Sequence, residues 1–324
     1  MPVHILGIHS GHICSKFKSV SVTVEILGDT TVISGDLSMG LAVNLAERLG
    51  AGLVKASLRT FPDGESKITL DEEPQGGIIV VHSLCPPVDS NLIRSLLMIA
   101  KAREFTSDVT AVIPYMGYAR QDREFLAGEV VTIQVIAQLF GAVGASRLIT
   151  VDIHSKTALS QFKMEIQNVT AMPALARRFA GTSLKDPIVI SPDAGGAARA
   201  KRFAELCECD CMVLEKRRDR ETGSVSILPL SPDAVRGRDA ILVDDMISTG
   251  GSMAEAARLL RESGCGKIFA VCTHALLVGD ARRKIMEAGV SGVISANTVP
   301  GPDATVDVSE AILDEIMRQR DQPV

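Results

Sequence analysis

The stretch 240-AILVDDMISTGGSM-253 decides the fold. Residues 240–243 are an apolar run of strand length, with Asp244 and Asp245 following at its C-terminal end. MISTGG then leads into a helix that starts near Ser252, where Ser252 and Glu255 have the spacing of a capping box. In open α/β sheets, ligands sit beyond the C-terminal ends of strands. There Thr249, Gly250, Gly251 and Ser252 would present backbone N–H groups and hydroxyls at a helix N-terminus. Free amides and the helix dipole both favour an anion such as a phosphate monoester. Glycine lets the backbone approach it closely. The carboxylates of Asp244 and Asp245 cannot bind that anion, but they can accept from the two hydroxyls of a vicinal diol. Phosphate and diol on one ligand make a sugar phosphate.

Working outward, short apolar runs alternate with helix-length segments: 31-TVI-33, 78-IIVV-81, 110-TAVI-113, 148-LITV-151, 188-IVI-190, 211-CMVL-214 and 268-IFAV-271. Apolar runs separated by helical patterns predict mainly parallel sheets covered on both faces, an α/β class. The chain also repeats itself. The region from residue 31 and the region from residue 188 each read as strand, glycine-containing turn, alanine-rich helix, strand. Further on, 80-VVHS-83, a helix at 89–103 and 110-TAVIPY-115 parallel 242-LVDD-245, a helix at 252–264 and 269-FAVCTH-274. We therefore expect two similar α/β domains, residues 31–172 and 173–324, after an N-terminal extension of residues 1–30. That extension carries His4, His9, His12 and Cys14 in a glycine-spaced stretch.

Bulk properties narrow the function. The chain has 324 residues, 46% hydrophobic and 23% charged, with a formal net charge of −5. A chain-wide basic field for nucleic acid is absent, so an anionic substrate must be held by local cations and helix N-termini. Seven cysteines, an odd count, read as reduced thiols in a cytosol rather than as a disulfide framework. The alternating 207-CECDC-211 reads as packing of small, soft side chains, with metal binding the other possibility. No run of 18 apolar residues occurs, so no membrane span is expected. The N-terminus lacks a basic segment followed by an apolar one and is not expected to be a signal peptide. The Walker A pattern and the kinase H-R-D and D-F-G strings are missing, so any use of ATP takes another form.

Three further motifs carry chemistry. In 61-FPDGES-66, Phe61 can stack on a purine while Asp63 and Glu65 accept from its amine or from ribose. In 114-PYMGYARQDRE-124, Arg120 can clamp phosphate and Gln121 can donate to and accept from a base edge. In 151-VDIHS-155 and 190-ISPDAGGAARAKR-202, His154 and Asp193 each follow an apolar strand and can flank Mg²⁺, which takes few protein ligands beside phosphate oxygens.

Together the strings FPDGE, YARQDR, VDIHS, SPDAGG and VDDMISTGGS resemble, in order and spacing, those of ribose-phosphate diphosphokinases, also called phosphoribosyl pyrophosphate synthetases. The resemblance covers about residues 31–320. The last string is similar to the ribose-phosphate loop of the type I phosphoribosyltransferase fold. The resemblance implies two phosphoribosyltransferase-like domains and transfer of the β,γ-diphosphate of ATP to ribose 5-phosphate, with Mg²⁺ as cofactor. It implies that Phe61, Asp63, Gly64, Glu65, Arg120 and Gln121 hold ATP, and that His154 and Asp193 hold the metal. Lys216 and Arg218, in 215-EKRRDRETG-223, would close over the phosphates, with Arg218 also reaching the sugar phosphate. Asp244 and Asp245 would read the ribose hydroxyls, and Ser248, Thr249, Gly250, Gly251 and Ser252 would seat the 5-phosphate. It further implies a cytoplasmic homo-oligomer with no nucleic-acid or membrane partner. Glu124 and Phe125, where many members continue with Lys and further charges, and Ser248, where many have Asp, resemble the variation of archaeal-type members. Both put allosteric control by phosphate or ADP in doubt. Two rival expectations are a phosphoribosyltransferase, which leaves FPDGE and RQD unexplained, and a non-catalytic regulatory homologue, which predicts loss of the basic loop or of His154.

Overall fold

The computed structural model describes residues 29–214, 216–218, 225–227 and 232–320. His4, His9, His12 and Cys14 lie outside the described residues, as does most of the basic loop 215–223. The chain forms β1 (Thr30–Ser34), α1 (Met39–Leu49), β2 (Gly52–Thr60), β3 (Ser66–Leu70), β4 (Gly77–Val81), α2 (Val88–Arg103), β5 (Val109–Ile113), α3 (Thr132–Ala142), β6 (Arg147–Val151), α4 (Lys156–Ser160) and β7 (Glu165–Val169). It continues with α5 (Met172–Arg177), β8 (Ile188–Ser191), α6 (Ala197–Cys207), β9 (Asp210–Val213), β10 (Lys216–Arg218), β11 (Val225–Ile227), β12 (Ala240–Ile247), α7 (Gly251–Glu262), β13 (Ile268–Ala275), α8 (Ala281–Glu287), β14 (Gly292–Ala296), β15 (Ala304–Val306) and α9 (Ser309–Arg320).

The first sheet has the order β3-β2-β1-β4-β5-β6-β7 and the second β15-β14-β13-β12-β8-β9. Matching β1 to β8, β2 to β9 and β4 to β12, and so on along the chain, makes the two orders the same. All pairings in these sheets are parallel except β2 with β3. The halves differ after their second strand: the first adds β3 as an antiparallel arm, the second the separate hairpin β10–β11. The α/β class and the repeat are therefore as expected.

Period-2 alternation fills both faces of each sheet. Along β12, Ile241 and Val243 enter one core while Ala240 and Leu242 enter another. The first of these cores lies between the sheets. It joins Val32, Ile79 and Val112 of one sheet to Val189, Ile241 and Val271 of the other through α1, α5, α6 and α9. The C-terminal helix α9 packs on α1 and β7 of the first half; Arg48 of α1 pairs with Asp307, just before α9, at 3.7 Å, and Arg177 of α5 pairs with Glu310 of α9 at 2.6 Å. α2 and α3 cover the outer face of the first sheet, and α7 and α8 that of the second. Cys207 packs in the inter-sheet core, and the described cysteines, Cys85, Cys207, Cys209, Cys211, Cys265 and Cys272, are all free thiols. Among the described residues no helix is long and apolar enough to cross a membrane.

Candidate active site

β12 runs on to Ile247, so Asp244 and Asp245 lie within the strand rather than after it. Register with β13 holds them there, Asp244 opposite Cys272 and Met246 opposite His274. The turn that follows is made by the backbone. Gly250 has φ 73°, a left-handed conformation, and is the N-cap of α7, which starts at Gly251. The expected capping box is thus corrected: Ser252 lies inside the first turn, and no side chain caps Gly250. The reason is steric. A Cβ at position 250 would sit 2.9 Å from Ile285 Cδ1 and 3.1 Å from the Ala281 carbonyl, so α8 packs directly against the glycine. Thr249 and Gly251 stay exposed beside it.

This turn opens on a cavity of about 470 Å³ lined by Arg120, His154, Asp193, Gly195, Gly196, Arg199 and residues 244–253. The cavity lies between the two sheets. The first half contributes Arg120, from the loop after β5, and His154, after β6. The second contributes Asp193, after β8, and the β12 turn. Four separate motifs thus converge: RQD through its arginine, VDIHS, SPDAGG and VDDMISTGGS.

The carboxylate pair is tied into this wall. Asp245 Oδ2 lies 2.6 Å from His154 Nδ1, a contact between residues 91 apart in the chain. Arg199 Nη1 donates to Asp244 Oδ1 at 3.0 Å, and its Nη2 stands 3.5 Å from Asp245 Oδ2. The Asp245 N–H also donates to Asp244 Oδ1 at 2.9 Å. Burial and the neighbouring Asp245 charge push Asp244 up to about 7. Burial would raise Asp245 as well, but the hydrogen bond with His154 and the charge of Arg199 hold it well below the usual carboxylate range. The same hydrogen bond, accepted by Asp245, raises His154. The pair is therefore split: one carboxylate is firmly ionised and the other easily protonated.

Asp193 Oδ1 accepts from the Gly195 N–H at 3.0 Å and so fixes the turn into α6. His154 meets Asp245 through Nδ1, which leaves Nε2 as the nitrogen for a metal. Among the described residues no three His, Cys, Asp or Glu side chains form a complete metal site.

Other expected residues lie apart. Phe61, Asp63, Gly64 and Glu65 form the tip of the β2–β3 hairpin, closed by Gly64 N–H to Phe61 C=O at 2.9 Å, with Gly64 at φ 96°. The Arg59 guanidinium stands 5.1 Å from the Phe61 ring centre. β2 is four strands from β6, about 19 Å along the sheet edge, so the hairpin does not line this cavity. Gln121 is exposed outside it, its N–H bonded to the Tyr118 carbonyl at 2.9 Å. Lys216–Arg218 are described as backbone alone, paired antiparallel with Val225–Ile227. Sequence reading missed Arg199, although it sits in the quoted string AARAKR, six residues after Asp193.

Comparisons with known proteins show the family. The N-terminal domain of ribose phosphate pyrophosphokinase matches residues 30–144, and the phosphoribosyl synthetase-associated domain matches residues 228–321. The chain is 39% identical over 290 residues to a ribose-phosphate pyrophosphokinase of Methanopyrus kandleri, covering 88% of this chain and 98% of the relative. It is 37% identical over 290 residues to that of Sulfurisphaera tokodaii, covering 88% and 99%. The crystal structure of phosphoribosylpyrophosphate synthetase from Mycobacterium smegmatis matches with a TM-score of 0.79 at 27% identity, over 90% of this chain and 99% of that one. Relatives matched along nearly their whole length at such identity leave one conclusion: the chain belongs to the ribose-phosphate pyrophosphokinase family.

Proposed function

We propose that this chain transfers the β,γ-diphosphate of ATP to the C1 hydroxyl of ribose 5-phosphate, giving phosphoribosyl pyrophosphate and AMP. The observation that carries the reading is one cavity in which an open, glycine-capped helix start lies beside a carboxylate pair and faces Arg120 and His154 across the inter-sheet space. The N–H groups and hydroxyls of Ser248, Thr249, Gly250, Gly251 and Ser252 seat the 5-phosphate. Asp244 and Asp245 read the diol, which orients C1 toward the first half. Arg120 holds ATP phosphate, and Gln121 and the hairpin residues Phe61, Asp63, Gly64 and Glu65 take the distant adenosine end.

The C1 oxygen attacks the β-phosphorus in line. The new O–P bond forms as the bond from the β-phosphorus to the α,β-bridging oxygen breaks; AMP leaves with that electron pair, and the proton of the C1 hydroxyl goes to solvent. Phosphoryl transfer asks mainly for positioning and charge neutralisation. Orientation between two fixed seats can supply about 7–11 kcal/mol of the barrier. His154 through Nε2 and a carboxylate oxygen of Asp193 fit Mg²⁺, two protein donors beside phosphate oxygens and water. Held by these two residues, the ion would supply charge neutralisation to the phosphates. Lys216 and Arg218 neutralise charge developing on the transferred group. The chain acts as a cytoplasmic homo-oligomer.

Incubation with ATP, Mg²⁺ and ribose 5-phosphate tests the assignment. We expect AMP whose formation depends on the sugar, and folded protein that makes none overturns the reading. Lys216→Ala is expected to lower turnover far more than it weakens ribose 5-phosphate binding. Near-normal turnover in that variant removes Lys216 from the mechanism.

A further inference from the structure

Asp244 is the carboxylate best placed to take the ribose diol, yet its Oδ1 already accepts from two donors. One is the Asp245 N–H at 2.9 Å, and the other is Arg199 Nη1 at 3.0 Å. A vicinal diol that bonds one hydroxyl to each oxygen of Asp244 needs a lone pair on Oδ1, and the guanidinium competes for it. Asp245 is different. It is buried and engaged by His154 at 2.6 Å, and Arg199 reaches it only loosely, at 3.5 Å. The guanidinium is thus held more closely at Asp244 than at the buried Asp245.

Arg199 stands on the second-half wall of the cavity, in the first turn of α6. Its side chain is about one-fifth exposed, on the side of the open space. Gly196 keeps its path clear: a Cβ there would lie 2.5 Å from Ser191 Oγ and 3.5 Å from Arg199 Nη1. Arg120 and His154 are carried by the other sheet. Arg120, Arg199 and Asp244 line one cavity, so a diphosphate held by Arg120 and a C1 oxygen oriented by Asp244 meet in a space that this guanidinium also faces. Exchanging a carboxylate for phosphate oxygens keeps a charge-assisted, bidentate pair, so the exchange leaves no cation uncompensated.

We propose that Arg199 is a further catalytic residue, which occupies the carboxylate pair until the sugar takes Asp244 and then turns its guanidinium onto the diphosphate in transfer. The proposal rests on the functional reading above. It makes the sugar's arrival the event that releases a cation for the transfer step, so sugar binding and phosphate activation are one exchange of partners.

The alternative is that Arg199 is a strut that only shapes the diol seat. The two differ in which kinetic constant they move. Arg199→Gln, Arg199→Lys and Arg199→Ala are compared with wild type for kcat, for KM of ribose 5-phosphate, and for folding by thermal melting. We expect Arg199→Gln to lose kcat by about 100-fold or more, the size of losing one preorganised donor to developing charge. KM for the sugar is expected to hold or fall, since the competitor for Asp244 is gone. Arg199→Lys should recover part of kcat, and added guanidinium ion should raise the turnover of Arg199→Ala. A raised KM with unchanged kcat shows a strut and overturns the proposal, as does a melting loss with no fall in kcat in the variants that remain folded. Active wild type beside an unimpaired Arg199→Gln overturns this proposal alone. Wild type without sugar-dependent AMP overturns the functional reading and this inference with it.

Discussion

The loop after β4 and the loop after β12 leave matching strands of two sheets that share one strand order, and they are built in opposite ways. β12 carries two acidic residues near its end, and a glycine-capped helix and an open cavity follow it. After β4 it reads 82-HSLCPP-87, and His82, Ser83, Leu84 and Cys85 are all buried. Ser83 Oγ donates to the Thr298 carbonyl at 2.7 Å, Cys85 packs with Tyr115 and Val299, and Pro87 precedes α2 with no glycine at the turn. The strand ends of a parallel sheet offer a place for a ligand in both halves. Which half uses it depends on whether the loop fills that place with side chains or leaves amides facing it.

The sharpest way to break this contrast is to close the open turn. Gly250→Val puts a β-branched residue at φ 73° and a Cβ against Ile285 and the Ala281 carbonyl. Turnover should fall by about 100-fold or more, on the scale of losing a preorganised donor set, with steady-state AMP formation as the measurement. Normal activity would mean that the turn does not seat the phosphate. The matching change in the filled loop is Leu84→Ala, at a fully buried side chain. It should cost about 2–5 kcal/mol of stability, read by denaturant unfolding, and leave KM for ribose 5-phosphate unchanged. A raised KM would show that this loop also serves the substrate.

The two loops also titrate in opposite senses. Burial pushes His82 down to about 4, from its ordinary value near 6.5. The unfolded chain therefore binds the extra proton between those values, so stability present above pH 6.5 is lost as pH falls toward 4, by at most about 3 kcal/mol. Asp244, pushed up to about 7, works the other way. The folded state keeps a proton that the unfolded chain has lost, so its contribution is full below the ordinary carboxylate value and is lost as pH rises to about 7. Unfolding free energies measured from pH 4 to 7 should therefore rise more steeply with pH in Asp244→Asn, and less steeply in His82→Gln, than in wild type. Identical slopes would remove the contrast. The smallest effect is expected of Ser83→Ala, which loses one buried hydrogen bond between the halves at about 1 kcal/mol, seen as a lower melting temperature with kcat intact.

Much of this architecture was readable from local chemistry. Strand runs such as IIVV and AILV are apolar throughout because both faces of a covered parallel sheet are buried. The repeat was visible because the two halves keep the same succession of strand, turn and helix. The capping box was misread because Ser-x-x-Glu spacing is blind to backbone dihedrals, and the positive φ of Gly250, pressed on α8, set the N-cap two residues earlier. The place of FPDGE was not readable either. Its motif order is compatible with a single cluster, but strand order puts β2 and β6 at separate places along the sheet.

The sequence by itself determined which segment carries amides, hydroxyls and carboxylates fit for a sugar phosphate, since hydrogen-bonding chemistry and turn conformation reside in neighbouring residues. Only the tertiary structure decided which motifs meet. The bond between His154 and Asp245 and the closed state of the β4 loop come from packing two sheets through a shared core, and the hold of Arg199 on both carboxylates comes from packing α6 on β12. Contacts between residues tens of positions apart are set by strand order and burial, and neither has a signature in local spacing.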